Sequence, residues 1–230
     1  MRQLSGLIIA AAIVLGGRAV SAQGMSELPI FYPLEKAAEG TFSKYAVKLP
    51  NGSAVALEIA LVGREAGAHW IEWAMKVPGK GEMAIKMLVA DEVKRMLVQQ
   101  SGMPQPMELP PNGVSGGAPK VTRPDAATLV SEDSLKTAAG SFKAKHYRKK
   151  VKTEGGEATI DLWAAEGAAP LGLVKMVQSL GAQSTSMELV ATGKGARSHI
   201  TGVPIKAPEG LAPAKATGGP APGGPAPGKK

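Results

Sequence analysis

Three consecutive stretches alternate apolar residues with small or polar ones at a period of two, and only short turns separate them. In residues 54–62, Val55, Leu57, Ile59 and Leu61 fall on one side, and Ala54, Ala56, Glu58 and Ala60 on the other. In residues 69–77, Ile71, Trp73, Met75 and Val77 share a side, with Glu72 and Lys76 opposite. Met83, Ile85, Met87 and Val89 repeat the pattern. Strict period two marks a strand with one face in a core. The links 63–67 and Pro78-Gly79-Lys80-Gly81 are too short for a parallel crossover, so the pattern predicts an antiparallel meander. Trp73, between Ile71 and Met75, is expected to be buried. A further strand over 41–49 precedes the meander and ends at the turn Pro50-Asn51-Gly52.

A second block of strands runs from about residue 127 to 200. It is clearest over 140–151, 158–164, 173–179 and 186–191, with turns at Glu154-Gly155-Gly156 and Pro170-Leu171-Gly172. Between the blocks, Asp91 can cap a helix, and Val93, Met96 and Leu97 keep helical spacing, so a helix over 91–100 is expected to pack on a sheet face. Gly102 and Pro104 would stop it. Residues 101–125 read as an irregular loop rich in Pro and Gly.

The ends divide from the body. Residues 1–22 read as a cleaved secretory signal: Arg2, a short apolar run over 4–15, and the small residues Val20-Ser21-Ala22. That run is shorter than the roughly 20 residues a spanning helix needs, so no transmembrane span is expected after cleavage. Residues 23–39 form a lead-in in which Phe31, Tyr32 and Leu34 around Pro33 can tuck onto the domain. The β domain itself is drawn over 40–202. Residues 203–230, ending GGPAPGGPAPGKK, read as a disordered Pro/Gly/Ala/Lys tail.

Export bounds the chemistry. The chain has no Cys, so its core must hold without disulfides. Net charge is +8, and loss of Arg2 and Arg18 with the signal leaves +6. In an exported chain this excess points to anionic lipid or cell-wall polymer and away from nucleic acid. The basic run Lys143, Lys145, Arg148, Lys149, Lys150 and Lys152 is the candidate anionic-surface element; equally, it reads as an edge strand guarded by Lys. His69, His146 and His199 lack partners at ligand spacing, no nucleophile elbow or phosphate loop is present, and no catalytic residue, metal site or cofactor is assigned. Carboxylates brought together across strands would be invisible in sequence, which keeps a hydrolase as a rival.

With these elements placed, the meander over 54–89 and the run Gly156-Glu-Ala-Thr-Ile-Asp-Leu-Trp163 leading into Pro170-Leu-Gly-Leu-Val-Lys175 resemble the LolA/LolB-like periplasmic lipoprotein-carrier fold. That family is an exported, strongly curved sheet whose concave side holds acyl chains under helices. Here the lead-in is short and interrupted by Pro33. The expectation is therefore a mainly β, α+β fold: a curved antiparallel sheet or incomplete β-barrel of roughly eight to ten strands with one or two helices. The expected function is non-catalytic binding of a lipid or lipoprotein acyl chain. Met75, Met83, Met87, Met96, Leu162 and Leu173 are expected to line an open apolar cleft. The alternative is a structural envelope protein docking on anionic surfaces through its basic strand and tail.

Overall fold

Alternation in the sequence becomes one large sheet. The computed structural model describes residues 27–77, 81–110, 120–123, 125, 128–153 and 156–207. The expected signal over 1–22, the expected turn at 78–80, residues 111–119 and 124 of the expected loop, and residues 208–230 lie outside the described residues. In chain order come β1 (Glu27–Pro29), one 3-10 turn (Leu34–Lys36), β2 (Phe42–Lys48), β3 (Ala54–Glu65), β4 (Ala68–Val77) and β5 (Gly81–Val89). They are followed by β6 (Val93–Gln100), β7 (Met107–Leu109), β8 (Lys120–Thr122), β9 (Leu129–Thr137) and β10 (Gly140–Thr153). The last four are β11 (Gly156–Ala164), β12 (Leu173–Leu180), β13 (Gln183–Gly193) and β14 (Ile205–Lys206).

Twelve of these strands form a single curved sheet in the order β14-β7-β6-β5-β4-β3-β2-β13-β12-β11-β10-β9, more strands than expected and not closed into a barrel. All its pairings are antiparallel except β14 with β7. The two blocks join where β13 pairs with β2. β1 and β8 make a separate parallel pair. Between β3 and β4, Ala66 and Gly67 take φ of 48° and 82°, the left-handed pair that a two-residue hairpin turn needs.

The meander face is as the alternation dictates: Leu57, Ile59, Ile71, Ile85, Met87 and Val89 all lie in the main core. Trp73 is half-buried against that core rather than enclosed by it. The expected helix over 91–100 is instead β6. Asp91 sits in the tight turn closed by Ala90 N–H donating to the Glu92 carbonyl, and Met96 and Val98 stand opposite Met87 and Ile85. Leu97 points the other way, into a second cluster with Trp70, Leu88 and Ile200. A strand covered on both faces needs apolar residues on both, and over so short a run that pattern also satisfies helical spacing.

The inner face is filled by the chain itself. Leu28, Ile30 and Leu34 of the lead-in are buried there with Ala168 and Leu171 of the β11–β12 connection. Phe31 and Tyr32 donate their N–H groups to the Leu171 carbonyl, and the Phe31 ring lies 5.4 Å from that of Tyr147. At about 1.5–3 kcal/mol per buried aliphatic side chain, this plug is a substantial part of the stability. The sheet extends past residue 202, because Ile205–Lys206 pair with Met107–Glu108 on β7.

Candidate functional site

The six residues expected to line a cleft are brought together on the inner face. Met75, Met87, Met96, Leu162 and Leu173 are each at most 9 % exposed within one packed cluster, and Met83 lies half-buried against it. Met75 faces Met83, and Met87 faces Met96, across neighbouring strands. The plug from the lead-in and from Leu171 packs in the same cluster.

An open depression lies on the opposite, outer face. Cross-strand register sets Glu58, Ala74, Ala84 and Gln99 in one row over β3 to β6. Ala56, Lys76 and Glu82 form the next row. Because alanine stops at Cβ, these rows sink between longer neighbours and leave a groove of about 560 Å³, also lined by Lys44, Met103 and His199. Tyr45, Leu57, Met75 and Met83 border it as the intervening strand residues, while their side chains belong to the inner core. Lys44 and Glu58 form an ion pair of 3.3 Å at one end.

One wall of the groove is a strap, residues 194–204, that crosses the outer face from β13 to β14. Ala196 N–H donates to the Gly40 carbonyl, Ile200 enters the outer cluster, and Ile205 N–H donates to the Pro106 carbonyl. The strap is pinned at mid-length by Glu72, only 2 % exposed although it belongs to the polar side of β4. Glu72 Oε1 accepts from His199 N–H at 2.7 Å and lies 2.8 Å from His199 Nδ1; Oε2 accepts from Ser198 Oγ–H. Lys86 Nζ donates to Ser198 Oγ at 3.2 Å. A buried carboxyl group is tolerated because each of its oxygens has a donor. Beyond the strap, the cations of Lys86 and Arg95 lie 5.2 and 5.4 Å from the centroid of the Trp70 ring, and Trp70 Nε1–H donates to Glu65.

The basic run lies on β10, an interior strand between β9 and β11 rather than the guarded edge. Acids supplied by its neighbours face it. Arg148 bonds Asp161 at 2.7 Å, Lys150 pairs with Glu157 at 2.8 Å, and Lys145 stands opposite Glu132. Lys143, Lys145 and Lys152 are exposed and Lys149 is half-buried. Burial pushes the Asp161 carboxyl up, but hydrogen bonds from Arg148 and His146 outweigh it and hold the group below the usual carboxylate range.

Sequence reasoning missed the groove, the strap and the Glu72 pin. The alanines of β3 were legible as a small-residue face, and Glu72 as outward-pointing. What buries Glu72 arrives more than 120 positions later in the chain. Among the described residues, no group of three or more His, Cys, Asp or Glu could hold a metal ion, and no helix is long and apolar enough to cross a membrane.

No family model matches the chain, nor does any curated protein. Among solved structures, the hypothetical protein CT021 from Chlamydia trachomatis is similar with a TM-score of 0.43 and 10 % identity, over 74 % of this chain and 94 % of that one. MucB, solved in complex with MucA(peri), gives 0.39 and 10 % identity over 69 % of this chain and 51 % of its own, about half of that protein. LprF from Mycobacterium bovis gives 0.32 and 16 % identity over 67 % and 86 %. These are loose likenesses of a curved sheet and define no family.

Proposed function

We propose that the chain is an exported, non-catalytic binding protein for an amphiphile, such as a lipid or a lipoprotein acyl chain, and that the ligand lies in the outer groove. The observation that carries this reading is the groove itself. It pairs an alanine floor with the charged rim of Lys44, Lys76, Glu58 and Glu82, and its size of about 560 Å³ falls in the usual range for small-molecule sites. Apolar chain buried on such a floor gains about 25 cal/mol per Å², and a rim of both signs suits a polar head.

The test is binding of a fatty-acid probe to the folded protein. Wild-type protein should show a thermal shift worth about 2.7 kcal/mol at a hundredfold excess over Kd. Ala74→Trp fills the groove from the outer face and should weaken the probe at least tenfold, since a ligand cannot share the indole's volume. Met87→Ala, on the inner face, should leave affinity unchanged on protein shown to be folded. Undiminished binding by Ala74→Trp would overturn the groove assignment. A second reading, a structural envelope protein, is favoured by the plugged inner face. It expects no shift with any amphiphile, together with salt-sensitive binding to anionic vesicles that falls when Lys143 and Lys145 are replaced by Gln.

A further inference from the structure

The large apolar side chains left exposed among the described residues all lie at the two open edges of the sheet. Val203 comes just before β14 and Ile205 lies on it, where the edge strand is two residues long. Leu129 and Val130, 43 % and 54 % exposed, begin β9 at the other edge. β9 runs for nine residues and, among the described strands, pairs only with β10. An edge strand of that length presents a row of unpaired backbone N–H and C=O groups, which is a template for another strand.

Edge strands are commonly guarded by charge, and β9 carries Glu132, Asp133 and Lys136. Here the guard has both signs and is complementary to itself. Glu132, Ser134 and Lys136 are exposed, alternating with half-buried Ser131, Asp133, Leu135 and Thr137. An antiparallel pairing of two β9 strands about Ser134 sets Glu132 of each opposite Lys136 of the other, so the opposite-charge pair occurs twice across a two-fold axis. The same register sets Ser131 opposite Thr137 and brings Leu129 and Val130 alongside Ala139 and Ala138 of the following turn. Asp133 meets Leu135, and its oxygens already accept from Ser131 Oγ–H at 2.9 Å and Trp163 Nε1–H at 2.8 Å within its own chain. On β10, Glu132 faces Lys145 but Lys136 faces Ser141, so a second copy gives Lys136 the acid that β10 does not. A pairing about Asp133 would instead oppose Asp133 to itself and Val130 to Lys136, and like charges directly opposite destabilise a ladder.

We propose that the chain associates with a second copy of itself through β9, the two edge strands pairing antiparallel about Ser134 and joining the two sheets into one. The shared backbone ladder, two ion pairs and an apolar contact at each end hold the interface. Being one strand wide, it belongs to the weak, transient class and depends on concentration. The groove over β3 to β6 lies on other strands, so this association is independent of what the groove binds.

The test is sedimentation equilibrium of the full chain over a concentration series, with charge-reversal variants. Wild type should show monomer and dimer in mass-action equilibrium below about 1 mM. Glu132→Lys sets two cations against each other at both ends of the pairing, and Lys136→Glu sets two acids, so each variant alone should associate at least about tenfold more weakly. Mixed together, the two variants restore both opposite-charge pairs and should associate about as tightly as wild type. A dimer formed through another surface has no reason to show this crossed rescue. Wild type that stays monomeric up to about 1 mM, dimers indifferent to both reversals, or a mixture no tighter than either variant alone would overturn the β9 pairing. Both side chains are exposed, so the fold should survive. If Glu132→Lys does not fold beside Lys145, Lys136→Glu decides: it must weaken the wild-type dimer by the same factor, and an unweakened dimer overturns the pairing.

Discussion

Tyr45→Ala is expected to cost about 3–5 kcal/mol, the range for deleting a large aromatic ring from a packed core. Tyr45 is 1 % exposed on β2, the strand that joins the two blocks of the sheet through β13. Its hydroxyl donates to the Leu173 carbonyl at 2.9 Å, so one side chain links β2 to β12 past the strand between them. Burial raises the pKa of that hydroxyl, opposed in part by its contact with Ser43, so it remains a donor throughout the working range of pH. Tyr45→Phe keeps the ring and loses only the bond, for about 1–2 kcal/mol. In a domain of this size the alanine variant should melt about 10 °C lower or more. Equal effects of the two variants in thermal and urea unfolding would mean that the ring is not packed as described.

Glu72→Ala should free the strap. The change removes the acceptor shared by Ser198 Oγ–H, His199 N–H and His199 Nδ1, and leaves a hole beneath the outer face. Ser198 Oγ–H keeps the Ile200 carbonyl at 3.0 Å and His199 is exposed to water, so the loss expected is about 1–3 kcal/mol, the range for one donor left without a partner. Lys194 and Arg197 are exposed on the strap, which makes trypsin a local reporter. Cleavage there should accelerate at least tenfold in Glu72→Ala and less in Glu72→Gln, which keeps an acceptor oxygen. An unchanged digestion pattern, with a stability loss under about 1 kcal/mol, would show that Glu72 does not hold the strap.

How far the sequence could be read follows from where each signal resides. The strands β3 to β5 were legible because the core face carries large apolar residues and the outer face mostly small or charged ones, so Leu57, Ile59 and Ile71 alternate with Ala56, Glu58 and Glu72, even though the strap later buries Glu72. β6 was not, because Leu97 is buried on the outer face while Met96 and Val98 are buried on the inner one, and two covered faces erase the alternation. The strap has no periodicity at all. Its only apolar anchor in the outer cluster is Ile200, and its remaining hold is the pair Ser198 and His199 on a carboxyl group whose burial they themselves create. The basic run on β10 was visible, but its neutralising partners Glu157 and Asp161 on β11 became neighbours only through register. The alanine groove illustrates the same limit: small residues spaced by two mean nothing in one strand and become a trough when three strands align them.

The central claim is that the inner face is closed by the chain's own plug and that any amphiphile binds outside. Methyl NMR of protein labelled at Ala and Met, titrated with a fatty-acid probe, tests this most directly. Shifts are expected at Ala56, Ala74, Ala84 and Met103 around the groove, with Met87 and Met96 unmoved in the inner core. Shifts concentrated at Met87 and Met96, with the groove alanines silent, would place the ligand in the concavity and contradict it.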